Sequence, residues 1–256
     1  MRRARVAAAV FRFLGFFGIW GISGLGGCGD PGPPPPTPVC GAVQTGRFEP
    51  HAQCGSELDF TPINAYQGEN GTLGDREDAV VLINGSCTGT LIAAAAGPVV
   101  ITAGHCVGLG DRSLLAFNVE ADPDGDPLVV NGDVIEQSVA PDYALIALDQ
   151  LPAITPTPLT SLESERLAII QHPRGAPKVA AEGDYLGECQ GVISYTDLDT
   201  LVGSSGAGVL TETGYLLGVH TDGDCGTDGS GLNFGSSAAQ IVEASAYLEP
   251  GDITAR

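Results

Sequence analysis

The sequence predicts an all-β fold, a barrel or a sandwich, with a single helix near the C-terminus. From Ala79 onward the chain is a succession of short apolar runs punctuated by glycine, aspartate and proline. Residues 80–83, 89–92, 99–102 and 144–148 are each of strand length, and residues 167–170, 208–210 and 215–219 repeat the texture in the second half. Many short strands with turn residues between them are the pattern of an antiparallel all-β domain. One stretch has helical spacing: Ser236 or Ser237 can cap a helix over residues 238–248, on which Ile241, Ala244 and Leu248 recur. That helix is expected to pack on the second β unit.

A chain of 256 residues has room for one large domain or two small ones and can bury a core of ordinary size. Its 11 Lys and Arg stand against 31 Asp and Glu, for a formal charge of -20. The basic patch that would neutralise phosphates is missing, so a nucleic-acid partner is not expected.

The N-terminus reads as an export signal over residues 1–27. Arg2, Arg3 and Arg5 precede a mostly apolar run over residues 6–22, interrupted by Arg12, and small residues follow. Nothing downstream offers the roughly 20 apolar residues that span a bilayer. Leu25-Gly26-Gly27-Cys28 resembles the lipobox of bacterial lipoproteins, which implies lipidation of Cys28 and anchoring at the cell envelope. An ordinary secretory signal is the alternative. Residues 28–39 are rich in proline and glycine, the composition of a semi-rigid spacer. Residues 40–75 have no sustained period and read as a disulfide-pinned extension or a pro-segment.

Seven cysteines leave one over, and lipidation of Cys28 would leave six for three disulfides. Export favours disulfides over a thiol-based metal site, and no Cys-x-x-Cys pair is present. Pairing neighbours joins Cys40 to Cys54, Cys87 to Cys106 and Cys189 to Cys225, out of fifteen possible connectivities.

Three strings carry the chemistry, in the order His, Asp, Ser. Residues 100–106 place His105 just past a β-branched run, with Cys106 beside it. Asp142 opens the apolar run at residues 142–148. Ser205 lies in the glycine-rich turn Gly203-Ser204-Ser205-Gly206-Ala207-Gly208, where backbone N–H groups can converge on one oxyanion. Acyl transfer by a serine needs this set: a hydroxyl nucleophile, an imidazole to take its proton, and a carboxylate to hold the imidazole tautomer. An α/β-hydrolase would need the order Ser, Asp, His and alternating strands and helices, and neither occurs.

On Thr102-Ala103-Gly104-His105-Cys106, Asp142-Tyr143-Ala144-Leu145 and the Gly203 to Gly208 turn, the chain resembles the chymotrypsin-like serine peptidases, particularly the bacterial glutamyl and lysyl endopeptidase branch. The resemblance runs from about residue 79 to 248. It implies two antiparallel six-stranded β-barrels, about 76–160 and 161–249, within a peptidase domain at 76–256. It implies His105 as general base, Asp142 as its orienting carboxylate, Ser205 as nucleophile, and the N–H groups of Gly203 and Ser205 as oxyanion hole. It also supports the Cys87–Cys106 pair and assigns His172 a structural role in the loop that shapes the second barrel. Protein or peptide substrates are expected, with no cofactor, and the protein is expected to be a monomer. A non-catalytic surface module on the same scaffold is the rival. Ser204 stands where trypsins carry an aspartate that receives a newly cut N-terminus, and no Ile-Val-Gly-Gly start is present, so activation by that salt bridge is not expected.

Specificity pulls two ways. Asp199 lies six residues before Ser205, the trypsin-like spacing for a carboxylate that pairs with a P1 lysine or arginine. His220, in Gly218-Val219-His220-Thr221, resembles the histidine of glutamyl endopeptidases that binds a P1 carboxylate. The sequence reading leans toward Lys/Arg. Asp122, Asp124 and Asp126 form a carboxylate cluster that suits either a solvated hairpin or, less well, Ca²⁺, and no metal site is assigned.

Overall fold

A computed structural model of the chain describes residues 53–123 and 125–255. The signal segment, Cys28, the spacer and Cys40 lie outside the described residues. Strand β1 (Thr61–Pro62) belongs to the extension that precedes the domain. Six strands then close into a barrel: β2 (Val80–Ile83), β3 (Cys87–Ile92), β4 (Val99–Thr102), β5 (Arg112–Phe117), β6 (Leu128–Val139) and β7 (Asp142–Leu148), in the spatial order β2-β3-β4-β7-β6-β5. A two-residue strand, β8 (Leu159–Thr160), leads into the second unit. There β9 (Arg166–Gln171), β10 (Val179–Cys189), β11 (Val192–Thr196), β12 (Gly208–Thr211), β13 (Leu216–Gly223) and β14 (Asn233–Ser237) run in the order β12-β9-β10-β11-β14-β13, and the β12–β13 pairing closes a second six-stranded barrel. β8 and β15 (Ile253–Ala255) add to its edge in parallel, so Leu159 and Thr160 belong to the second sheet although the sequence reading assigned them to the first barrel.

Each barrel has its own core, and a third cluster lies outside both. Val81, Ile83, Leu91, Val100, Leu115, Phe117 and Ile146 fill the first barrel, and Leu167, Ile169, Ile193, Tyr195, Val209 and Leu217 the second. The intervening residues of the same strands, Val80, Ile101, Leu145, Ile170, Leu210 and Leu216, join the third cluster. Alternating side chains of one strand therefore face two different apolar environments, which is why β2, β4, β7 and β9 read as continuous apolar runs rather than as alternation. Helix α1 (Ala238–Ala244) adds Ile241 and Val242 to the third cluster and packs on β13 and β14.

The helix is shorter than the spacing predicts. Ser237 caps it, accepting the Gln240 N–H at 3.2 Å. It stops because Ser245 is extended, with its hydroxyl accepting the N–H groups of Tyr247 and Leu248 at 3.0 Å each and bonding the Glu136 carboxylate. Leu248 is buried by this turn rather than by helical periodicity.

The described part of the extension is built into the domain. β1 pairs with β10, Ile63 and Leu73 are buried in the third cluster, and Cys54 is bonded to Cys225. The last contact corrects the neighbour pairing, which joined Cys54 to Cys40 and Cys225 to Cys189. Two hydrogen bonds bring the 54–59 backbone onto Asp199, beside β14, so Cys54 meets a cysteine 171 positions away. Cys189 is also disulfide-bonded, though not to Cys225. The Cys87–Cys106 pair is present as the resemblance implied.

A buried ion cluster joins the barrels. Lys178, fully buried just before β10, hydrogen-bonds the Glu77 carboxylate and the Glu77 carbonyl (2.8 Å), and its Nζ is 2.7 Å from Glu120 Oε1. Glu77 precedes β2 and Glu120 follows β5, so the first barrel supplies both carboxylates and the second the cation. Asn64 of the extension donates to Glu120 at 3.0 Å.

Candidate active site

His105 sits on a single 3₁₀ turn, Gly104–Cys106, directly after β4. The turn lies against β6 and β7 because Gly104 has no side chain: a Cβ there would come within 2.0 Å of the Ser138 carbonyl oxygen and 2.8 Å of Asp142 Oδ1. Gln137 Nε2 donates to the Gly104 carbonyl at 2.9 Å, and the Cys87–Cys106 bond ties the turn to β3. Asp142 opens β7 and spends both carboxylate oxygens on His105. Oδ2 lies 2.7 Å from Nδ1, and Oδ1 accepts the backbone N–H at 3.1 Å. A carboxylate only accepts, so Nδ1 carries a proton and Nε2 of the neutral ring is left as the proton acceptor.

The turn carrying Ser205 is pinned on all sides. Gly203 has φ +97° and Gly206 φ +87°, conformations that L side chains rarely adopt. The space is closed as well: a Cβ on Gly206 would meet Thr102 Oγ1 at 2.0 Å and the Thr88 carbonyl oxygen at 2.2 Å. Ser204 is fully buried, and its hydroxyl accepts the Leu201 N–H at 3.0 Å while its own N–H donates to the Leu201 carbonyl at 2.9 Å. A neutral serine thus meets local backbone demand where trypsins hold a carboxylate. The Arg174 N–H donates to the Val202 carbonyl, so in that trans peptide the Gly203 N–H points away from Arg174. Among the described residues, the N–H groups of Gly203 and Ser205 donate to no backbone carbonyl.

His105, Ser205, Gly203 and His220 line one cleft of about 200 Å³, together with Ser86, Thr200, Thr221 and Asp222. The structure brings together the three strings that the sequence keeps 37 and 63 positions apart. His220 is 3% exposed, and its Nδ1 lies 2.6 Å from the Tyr195 hydroxyl. Burial pushes its imidazole pKa down to about 3, with the nearby His105 adding to the effect, so the ring is neutral. Burial likewise pushes Tyr195 well above the usual phenol range. Asp222 is raised, chiefly by burial and then by the charge of Asp142.

Asp199 is placed elsewhere. It is 1% exposed and does not line the cleft; Oδ1 accepts the Cys54 N–H at 2.6 Å and Oδ2 the Asp59 N–H at 2.8 Å. The extension, whose long-range fold nothing in the sequence announced, has taken the carboxylate that the trypsin-like spacing assigned to P1. Burial and the Asp199 carboxylate raise Asp59 to about 7. His172 is fully buried, with Nδ1 2.9 Å from the Ala176 carbonyl oxygen and a pKa pushed down to about 4 by burial. Among the described residues no three metal-ligating side chains converge, and Asp124 of the acidic cluster lies outside them. Sequence reading passed over Thr88 and Tyr195, which have no motif of their own and are recognisable only by what they touch.

A family model described as a trypsin-like peptidase domain matches residues 87–219, about half of the chain, and takes in His105, Asp142 and Ser205. The chain belongs to the trypsin-like peptidase family. Among solved structures, the serine endoprotease from Yersinia pestis is similar, with a TM-score of 0.57 and 14% identity over 70% of this chain. The similarity spans 65% of that protein's length, and at this identity it is a likeness of fold. No curated protein matches the chain.

Proposed function

We propose that this trypsin-like peptidase is an exported serine endopeptidase in which Ser205 attacks the scissile carbonyl, His105 takes and returns the proton, and Asp142 holds the imidazole. The carrying observation is the double contact of Asp142 with His105 beside a cleft that Ser205 also lines. Nε2 is the base in this arrangement, an acyl-enzyme forms on Oγ, and water attacks in the second half-reaction. The Gly203 and Ser205 N–H groups, which donate to no carbonyl of the described chain, are the donors for the tetrahedral oxyanion.

The P1 reading passes from Asp199 to His220. Asp199 is occupied by two backbone N–H groups, whereas His220 lines the cleft with Nδ1 engaged by Tyr195. The 2.6 Å separation favours donation of the Tyr195 proton to Nδ1 over the 3.3 Å alternative to the Phe234 carbonyl. That tautomer puts a hydrogen on Nε2, a donor suited to a P1 glutamate or aspartate. The bacterial glutamyl-type branch is the corresponding family placement. Anchoring through Cys28 accompanies this reading, supported by the lipobox-like string and by disulfides of the kind that persist outside the cytoplasm.

The test is a set of fluorogenic peptides identical except for Glu, Lys or Leu at P1, with Ser205→Ala as the blank. Cleavage after Glu that is lost in the blank supports the assignment. Cleavage after Lys that collapses in Asp199→Ser returns P1 to Asp199. A folded protein that cuts none of them supports the non-catalytic module instead.

A further inference from the structure

We infer that Thr88 is a positioning residue for the oxyanion side of the Ser205 turn, acting through its hydroxyl. The inference rests on the serine peptidase reading above and adds to it a residue from outside the three motif strings.

Thr88 is fully buried on β3, next to Cys87, and every polar group it owns is committed to the cleft or its frame. Its hydroxyl donates to the Gly203 carbonyl at 2.7 Å, and its N–H donates to the Ser205 carbonyl at 3.0 Å. Its own carbonyl accepts from Thr102 Oγ1 at 2.7 Å, three residues before His105. One residue of the first barrel therefore holds both carbonyls that flank Ser204 in a turn belonging to the second.

The direction of the hydroxyl proton follows from its neighbours. The His172 N–H donates to Thr88 Oγ1 at 2.9 Å, which uses the acceptor side and leaves the single hydroxyl proton for Gly203. Gly203 needs this restraint because it is a glycine at φ +97°, free to occupy other backbone basins at little cost. Its two peptide planes are fixed separately. Arg174 N–H holds the Val202 carbonyl and so aims the Gly203 N–H; Thr88 Oγ1 and the Leu201 carbonyl hold the plane that follows. Without the hydroxyl, the Gly203 carbonyl and the His172 N–H both lose their partner in a dry site, and the Gly203–Ser204 plane keeps only the Leu201 carbonyl. Because Gly203 rotates at little cost, a shift of that plane is passed to the Gly203 and Ser205 N–H groups on either side of it. A donor turned away from the oxyanion stabilises the transition state less while leaving ground-state contacts of the substrate in place.

The test compares Thr88→Ser with Thr88→Ala, which both lack the methyl group and differ only in the hydroxyl. We measure kcat and KM on the best peptide, and the inhibition constant of a peptide boronic acid of the same sequence, which forms the tetrahedral adduct. Removal of one oxyanion donor costs about 10²–10³ in kcat, and loss of its positioning is expected to give roughly 10–100-fold. The expected result is Thr88→Ser within about 3-fold of wild type, and Thr88→Ala with a kcat fall of that size, KM nearly unchanged and boronate affinity weakened in parallel. Equal kcat in the serine and alanine variants, or a loss confined to KM, overturns the role of the hydroxyl while leaving the peptidase reading intact. A folded wild-type protein that neither turns over nor binds the boronate overturns both. Should the alanine variant fail to fold, Thr88→Val, which keeps the shape of threonine and replaces only the hydroxyl, is compared with wild type in the same three measurements.

Discussion

Replacing Lys178 by methionine should be among the most damaging single changes outside the cleft. Its Nζ is fully buried between the Glu77 and Glu120 carboxylates, whose side chains are 10% and 0% exposed. Methionine fills much the same volume and removes only the charge, so the loss is not a cavity effect. Removing one member of a buried ion cluster costs about 3–5 kcal/mol, because the remaining charges are left uncompensated. For a domain of this size each kcal/mol moves Tm by about 2–4 °C, so a fall of up to roughly 6–20 °C is expected at pH 8.

The pH dependence separates this cause from ordinary packing loss. Burial raises Glu77 to about 7, the largest influence on it, even with Lys178 present. Without the ammonium its carboxyl is raised further, so it protonates readily at pH 5 and relieves the repulsion with Glu120. The Tm deficit of Lys178→Met should therefore shrink between pH 8 and pH 5, and adding Glu77→Gln should recover part of it at pH 8. Scanning calorimetry on wild type, Lys178→Met and the double variant decides the matter. A deficit under 2 °C at pH 8, or one that does not change with pH, would refute the claim that the cluster holds the barrels together by charge.

Three further outcomes follow from the same geometry. Asp59, raised to about 7 in the folded protein from an ordinary value of 3.8, binds protons in the native state that the unfolded chain has released. Stability is therefore lost as pH rises from about 4 to 7, and the Tm advantage of Asp59→Asn over wild type should grow across that window and level off above it. Gly206→Ala should lower catalytic turnover at least 10-fold and also lower Tm, since the added methyl meets Thr102 Oγ1 and the Thr88 carbonyl in a backbone conformation already reserved for glycine. Tyr195→Phe removes the partner of His220 Nδ1 and should weaken selectivity for a P1 carboxylate by about 10-fold, read as the Glu-to-Leu ratio of kcat/KM, with the kcat of the Leu peptide unchanged.

The legible parts of this fold were those whose chemistry is local. Val80 to Ile83 and Val99 to Thr102 announced themselves as strands because their two faces meet two apolar clusters. β6 and β10, the longest strands, were not identified: they carry Asp133, Glu136, Glu182, Asp184 and Glu188 on solvent-facing or hydrogen-bonded positions and change register at bulges, so neither alternation nor an apolar run survives. The Thr102 to Cys106, Asp142 to Leu145 and Gly203 to Gly208 strings were readable because each needs neighbours within a few residues. Asp199 was misread for the opposite reason. Its partners Cys54 and Asp59 lie 145 and 140 positions away, and no local pattern says that a carboxylate will be claimed by a distant backbone. The Cys54–Cys225 bond escaped sequence reading on the same ground.

The central claim is that Ser205 is a nucleophile activated by His105. The most direct measurement is labelling of the protein by a fluorophosphonate probe, in parallel with Ser205→Ala and His105→Ala, with the modified residue located by mass spectrometry. Adduct on Ser205 in wild type and none in either variant is the predicted result. A folded, disulfide-bonded wild type that takes no label, or one labelled equally with His105 removed, would contradict it.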